Sequence, residues 1–155
     1  MSDKKPSVLI VDDEMIIQRA VSRALGDENY RLQVVGTVGE AREQFERGGF
    51  DVVLLDIKLP DGDGLDLVAE ARRMIRGVEV IVMTGHGGVN EAVNAVKAGA
   101  YDFLTKPFDP IEKLTLAVAQ AVERKDLRDR AHTLARTADA NYGFESIVAS
   151  GPGMM

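Results

Sequence analysis

Five times along this chain a short, mainly apolar run gives way to a stretch whose apolar residues recur at helical spacing. The runs cover residues 8–11, 32–35, 52–55, 78–83 and 100–104. Short apolar runs bounded by turn residues read as strands buried on both faces. Between them, Ile16, Ile17, Ala20, Ala24 and Leu25 mark a helix stopped at Gly26. Val38, Ala41 and Phe45 mark another, opened by the capping-box pattern Thr37-Val38-Gly39-Glu40 and stopped at Gly48-Gly49. Leu65, Val68, Ala71 and Ile75 give a third, stopped near Gly77, and Val89, Ala92, Val93 and Val96 a fourth, closed by Gly99. Asp109-Pro110 predicts the N-cap and first position of a fifth. Strands alternating with helices on short links require a parallel sheet covered on both faces.

Right-handed crossovers restrict the topology further. The expected fold is the flavodoxin-like, doubly wound α/β sheet of five parallel strands in the order 2-1-3-4-5, with an extended C-terminal helix. Ligands of such sheets bind outside the carboxyl ends of the strands. Those ends carry Asp12 and Asp13 after the first strand, Asp56 after the third, Thr84 after the fourth and Lys106 after the fifth. A single aspartate after a strand is ordinarily a turn or capping residue, and Lys106-Pro107 alone means little. Their joint appearance at neighbouring strand ends carries the inference. Three carboxylates in one pocket repel, so a cation is expected among them. An all-oxygen set with open positions suits Mg²⁺. A carboxylate nucleophile, a metal, a lysine and a hydroxyl are the parts for phosphoryl transfer onto Asp56.

Other chemistries fall away. The chain of 155 residues has no cysteine, which excludes disulfides, thiolate zinc sites and thiol catalysis. No His/Asp/Glu spacing suggests zinc, and the loop Gly85-His86-Gly87-Gly88 lacks the Gly-Lys-Ser/Thr ending of a nucleotide P-loop. A net charge of -6 argues against direct nucleic-acid contact. No apolar run reaches the ~18–20 residues that cross a bilayer, and the first residues lack a signal-peptide centre. A cytoplasmic protein with no membrane partner is expected.

Four motifs resemble the receiver domains of two-component response regulators: Val-Asp-Asp-Glu at 11–14, Leu-Leu-Asp-Ile-Lys-Leu-Pro-Asp-Gly-Asp-Gly at 54–64, Val-Met-Thr-Gly at 82–85 and Gly-Ala-Tyr-Asp-Phe-Leu-Thr-Lys-Pro-Phe at 99–108. The resemblance spans residues 7–122. It implies that Asp56 is the phosphoacceptor, served by a sensor histidine kinase, with Mg²⁺ on Asp12, Asp13, Asp56 and the Lys58 carbonyl. It further implies that Thr84 moves to the phosphoryl group, that Lys106 pairs with it and that the peptide to Pro107 is cis. The aromatic switch position falls on Phe103, a purely steric switch because phenylalanine has no hydroxyl, with Tyr101 as the nearby alternative. Positions 58 and 86 tune the lifetime of the phosphoryl group in this family; here they hold Lys58 and His86.

Residues 1–122 are thus expected to form the receiver and 123–142 a helical linker. Leu127, Ala131, Leu134 and Ala138 are spaced 4, 3 and 4, a heptad-like seam. It reads either as a solvated helix end or as a stalk that pairs two copies into a homodimer. Residues 143–155 resemble the entry to the ATPase domain of sigma-54-dependent activators, the nitrogen-regulatory and dicarboxylate-transport type. That resemblance implies an attached ATPase and sigma-54 RNA polymerase as partners; the other reading of 143–155 is a disordered tail. The chain itself is expected not to be an enzyme beyond its own phosphorylation and dephosphorylation. The alternatives are a stand-alone receiver acting by protein binding, and an Asp-nucleophile phosphatase. Such a phosphatase needs an acid two residues after its nucleophile, where this chain has Lys58. A flavin site is disfavoured because three acids at the phosphate edge would repel the cofactor.

Overall fold

The computed structural model describes residues 5–85 and 89–142, with side chains to residue 131 save that of Val89. Its elements run β1 (Ser7–Val11), α1 (Met15–Leu25), β2 (Arg31–Val35), α2 (Val38–Arg47), β3 (Val52–Asp56), β4 (Lys58–Leu59), β5 (Gly62–Asp63), α3 (Gly64–Met74), β6 (Glu79–Thr84), α4 (Val89–Ala98), β7 (Asp102–Thr105) and α5 (Glu112–Tyr142). Five strands form one parallel sheet in the order β2-β1-β3-β6-β7. With the small antiparallel pair β4-β5 set aside, this is the expected order 2-1-3-4-5.

Side chains of a strand alternate between its faces, and the core follows. Leu9, Val11, Val53, Leu55, Val80 and Val82 enter one cluster, with Val38, Ala41 and Phe45 of α2, Leu67, Val68 and Ala71 of α3 and Ala95 of α4. Val8, Ile10, Val52, Leu54, Ile81 and Met83 enter the other, with Val21 and Leu25 of α1 and Leu114, Ala117, Val118 and Ala121 of α5. Both faces are dry, so the central strands read as continuous apolar runs rather than alternating ones.

Several local expectations change. In α1 the buried stripe runs through Val21 and Leu25, with Ile17 packed beside it; Ile16 is 81% exposed and Ala20 is also exposed. At about 100° per residue, the 17-21-25 line leaves 16 and 20 to one side. In α4 the small residues Ala92 and Ala95 face inward, while Val93 and Val96 are exposed. Pro110 is not the first helical residue. The turn at Pro110–Ile111 closes through i→i−3 bonds, Lys113 N–H to Pro110 O (3.0 Å) and Leu114 N–H to Ile111 O (3.0 Å), and α5 starts at Glu112. The capping box is shifted: Thr37 accepts from Glu40 N–H, but the Glu40 carboxylate takes the N–H of Gly36, one residue earlier than the motif predicts.

The chain divides into two units, residues 1–125 and 126–155. In the second, residues 126–142 are helical and Leu127 and Ala131 are exposed. The side chains of Leu134 and Ala138, like His86 and the tail 143–155, lie outside the described residues. Among the described residues, no helix is long and apolar enough to cross a membrane.

Candidate functional site

Strand register sets the height of each residue at the carboxyl edge. Val11 pairs with Leu55, so Asp12 leaves β1 level with Asp56. Asp56 pairs with Met83, which puts Thr84 one residue further out. Thr84 pairs with Thr105, so Lys106 lies further out again. A long side chain is needed to return from there to the acids, and lysine supplies one. Its Nζ stands 2.7 Å from Asp12 Oδ2, 3.2 Å from Asp56 Oδ2 and 3.2 Å from Glu14 Oε1. The backbone at this corner is tied to the neighbouring strand, Lys106 N–H donating to Thr84 O at 2.8 Å, and the Lys106–Pro107 peptide is cis.

Asp12 is fully buried and Asp56 is 6% exposed, while Asp13 faces solvent. Carboxylate oxygens of the three lie within 4.8 Å of one another. Burial, with the charge of Asp12 second, pushes the Asp56 carboxyl up to about 6, against the pull of Lys106 and of the Lys58 N–H on Asp56 Oδ1. Burial likewise raises Asp12, opposed by Lys106 and by the Glu14 N–H. Burial alone would lower the Lys106 ammonium; Asp12 and Asp56 outweigh it, and the net shift is upward. The site is therefore an ion cluster in which acids outnumber the cation.

The donor set fits a hard divalent ion. Asp12, Asp13 and Asp56 all offer carboxylate oxygens, as Mg²⁺ prefers. Asp12 Oδ2 is buried with the Lys106 ammonium 2.7 Å away, and that single cation also serves Asp56 and Glu14, with Asp13 close by, so the cluster carries negative charge in excess. A further cation would offset that excess.

The remaining predicted residues are placed as follows. Thr84 is buried beside Asp56 on the adjoining strand. Phe103, on β7, is turned to solvent. The Lys58 side chain is exposed, with its backbone at the acids through the Asp56 contact above.

Four contributors escaped the sequence reading. Glu14 shares Lys106, and Gln18 Nε2 donates to the Asp12 carbonyl at 2.6 Å. Asp61, in the turn between β4 and β5, accepts from Val38 N–H (2.7 Å) and Gly39 N–H (3.1 Å), so the turn after Asp56 is pinned to the start of α2. Gly64 passes so close to Asp56 that an added Cβ would collide with the Asp56 carbonyl oxygen. Glu14, directly after the acid pair, was the plainest signal; Asp61 and Gly64 stood within the motif at 54–64 with nothing to mark their contacts. The other three depend on contacts between elements.

The class is now defined: a flavodoxin-like α/β domain with an acidic, lysine-bridged pocket at the carboxyl edge of its sheet. The chain belongs to the response regulator receiver domain family, whose profile matches residues 8–119. It is 36% identical over 133 residues to the alginate biosynthesis transcriptional regulatory protein AlgB of Pseudomonas aeruginosa, covering 86% of this chain and 29% of AlgB. It is 31% identical over 148 residues to the regulatory protein AtoC of Escherichia coli, covering 96% of this chain and 32% of AtoC. Among solved structures, NtrX from Brucella abortus in complex with ADP superposes with a TM-score of 0.78 at 32% identity, over 84% of this chain and 30% of NtrX. The chain thus spans about a third of the length of these relatives.

Proposed function

We propose that this chain is a phosphorylation-controlled switch, in which Asp56 accepts a phosphoryl group from a phosphohistidine of a sensor kinase and relays the change to an attached transcription activator. The observation that carries the reading is the sharing of one ammonium, Lys106, between Asp12 and Asp56 beside a third carboxylate, at the sheet edge where ligands bind. With its carboxyl at about 6, Asp56 is mostly ionised at neutral pH and can act as a nucleophile. A carboxylate oxygen of Asp56 forms the new O–P bond as the P–N bond of the donor breaks, and the donor imidazole, already protonated on its other ring nitrogen, leaves as the neutral base. Mg²⁺ held by Asp12, Asp13 and Asp56, with the Lys58 carbonyl, would supply positive charge against the phosphoryl oxygens.

The chain's own residues do the rest. Lys106 already sits by the acceptor and pairs with the added anion as a point charge. Thr84 turns its hydroxyl to a phosphoryl oxygen, and Phe103, outward here, follows into the vacated space. His86 and Lys58 set how long the phosphoryl group survives. The chain has no turnover of its own beyond gaining and losing that group.

The sigma-54-dependent class is supported by the relatives. AlgB and AtoC are named as regulators, the NtrX structure holds ADP, and this chain covers about a third of each. In this reading 123–142 is the linker, its Leu127–Ala138 seam pairs two copies, and the activator works in the cytoplasm with sigma-54 RNA polymerase. A phosphatase is disfavoured by Lys58 standing where an acid is required.

The test is labelling with a small acyl phosphate and Mg²⁺. Wild type is expected to gain one phosphoryl group and Asp56→Asn none; equal labelling overturns the assignment. Beryllofluoride with Mg²⁺ is expected to change the sedimentation of the protein, and an unchanged profile removes the link to dimerisation.

A further inference from the structure

Helix α1 begins at an unusual N-cap. Glu14 has the extended backbone of that position, φ −92° and ψ 119°, yet its side chain makes no capping bond. Serine, threonine, aspartate and asparagine are favoured there because a short oxygen reaches the N–H groups of the first turn. The longer Glu14 side chain goes elsewhere. Its Oε1 meets Lys106 Nζ at 3.2 Å, across 92 residues of sequence.

The backbone at Glu14 is held in place for this. Its N–H donates to Asp12 Oδ1 at 2.8 Å, and its carbonyl accepts from Gln18 N–H at 3.0 Å. Gln18 in turn donates its side-chain amide to the Asp12 carbonyl. An acid needed only for the helix dipole would require neither the lysine contact nor this length.

An ammonium has three protons to donate. Lys106 has three carboxylates around it, those of Asp12, Asp56 and Glu14. A phosphoryl group arriving on Asp56 must draw the ammonium away from at least one of them. Asp12 is buried and Asp56 nearly so, whereas the Glu14 side chain is 60% exposed. Water compensates Glu14 most readily, so its contact is the one released.

We propose that Glu14 is a positioning residue that competes with the incoming phosphoryl group for Lys106 and so restrains phosphorylation of Asp56. This rests on the phosphoacceptor reading above. Two substitutions separate contact from charge. Glu14→Gln keeps the length and removes the charge. Glu14→Asp keeps the charge, is a better N-cap and is one methylene shorter, which withdraws its carboxylate from Lys106.

Labelling by a small acyl phosphate is measured at saturating Mg²⁺, with Asp56→Asn as the blank. Both Glu14 variants are expected to be labelled about two- to fivefold faster than wild type, the range of one exposed ion pair. In the Mg²⁺-free, unphosphorylated protein, both are expected to shift the NMR signals of the Lys106 side-chain terminus. A merely structural role would move neither the rate in this direction nor those signals. Rates unchanged or lower in Glu14→Gln overturn the proposal. A faster Glu14→Gln with Glu14→Asp at the wild-type rate also overturns it, because charge alone would then suffice. Unshifted Lys106 signals remove the contact whatever the labelling shows. Failure of wild type to label above the Asp56→Asn blank instead defeats the phosphoacceptor reading, and the proposal with it.

Discussion

Arg124 of α5 places its Nε 3.3 Å from Oε2 of Glu79, the first residue of β6 and 1% exposed. Arg72 of α3 approaches the same carboxylate at 3.9 Å, and Arg124 also lies over the Tyr101 ring at 5.2 Å. A buried acid at the amino end of a strand thus joins two helices on opposite faces of the sheet. Half-removal of such a pair is the costly change, because it strips charge from a group already out of water. Arg124 is half exposed, so solvent screening limits the effect. Arg124→Ala is expected to lose about 1–2 kcal/mol in urea unfolding. Glu79→Met, similar in volume and apolar, is expected to lose less or to gain. Equal losses would show that the carboxylate itself, and not its pairing, is needed.

Gly64 and Gly62 make a contrasting pair. A Cβ at Gly64 would meet backbone, the Asp56 carbonyl and Ile57 Cα, which cannot step aside. At Gly62 it would meet the Val38 side chain instead, nearest at Cγ2, 3.1 Å away. Gly64→Ala is expected to cost about 1–3 kcal/mol, as overpacking does, and Gly62→Ala well under that. It should also displace Asp56 and slow its labelling. Denaturant midpoints and labelling rates read both effects.

The Asp56 carboxyl titrates near 6 in the folded protein against an ordinary value of 3.8. The folded state therefore holds this proton more tightly than the unfolded chain. The stability it confers is complete below pH 3.8 and is lost as pH rises through 6. Metal-free protein is expected to lose on the order of 3 kcal/mol across this window. Asp56→Asn should flatten the slope and stabilise the protein at neutral pH. An identical slope in the variant would assign the titration to another group.

Mg²⁺ is expected to reverse that loss, since it binds the folded carboxylates and not the unfolded chain. A hundredfold excess over Kd adds about 2.7 kcal/mol. Thermal unfolding should show Tm rising with Mg²⁺ in wild type and little change in Asp12→Asn or Asp13→Asn. A full response in both variants would place the ion elsewhere.

Asp61 holds the first turn of α2 through two backbone N–H groups, Val38 ahead of Gly39, and these bonds keep its carboxyl below the usual 3.8. Its contribution is present above that value and is lost as pH falls through the lower, folded one. Asp61→Ala is expected to lower the Tm at neutral pH and to converge on wild type in strong acid. A pH-independent difference would mean that the carboxylate is not the capping form.

The sheet was legible because its central strands are dry on both sides. A run such as Val52-Val53-Leu54-Leu55, short and followed closely by a Pro-Asp-Gly turn, reads as a covered parallel strand, and the glycines after α1, α2 and α4 punctuate the helices. Helix faces were less so. Ile16 and Val93 fit a helical spacing, yet Val21 and Ala95 take the inner stripe, because the choice among adjacent stripes depends on what lies opposite.

By itself the sequence determined which residues reach the carboxyl edge: each of Asp12, Asp56, Thr84 and Lys106 ends or follows an apolar run, and parallel strands all end on one side. Their separation along that edge was decided only by tertiary structure. Register sets Lys106 beyond Asp56, and three carboxylates then divide its ammonium. Asp61 on α2, Arg124 on Glu79 and Glu14 on Lys106 are likewise contacts between segments far apart in the chain. Local patterning records whether a position is buried, not which distant group it meets; that pairing exists only once the helices and strands have packed.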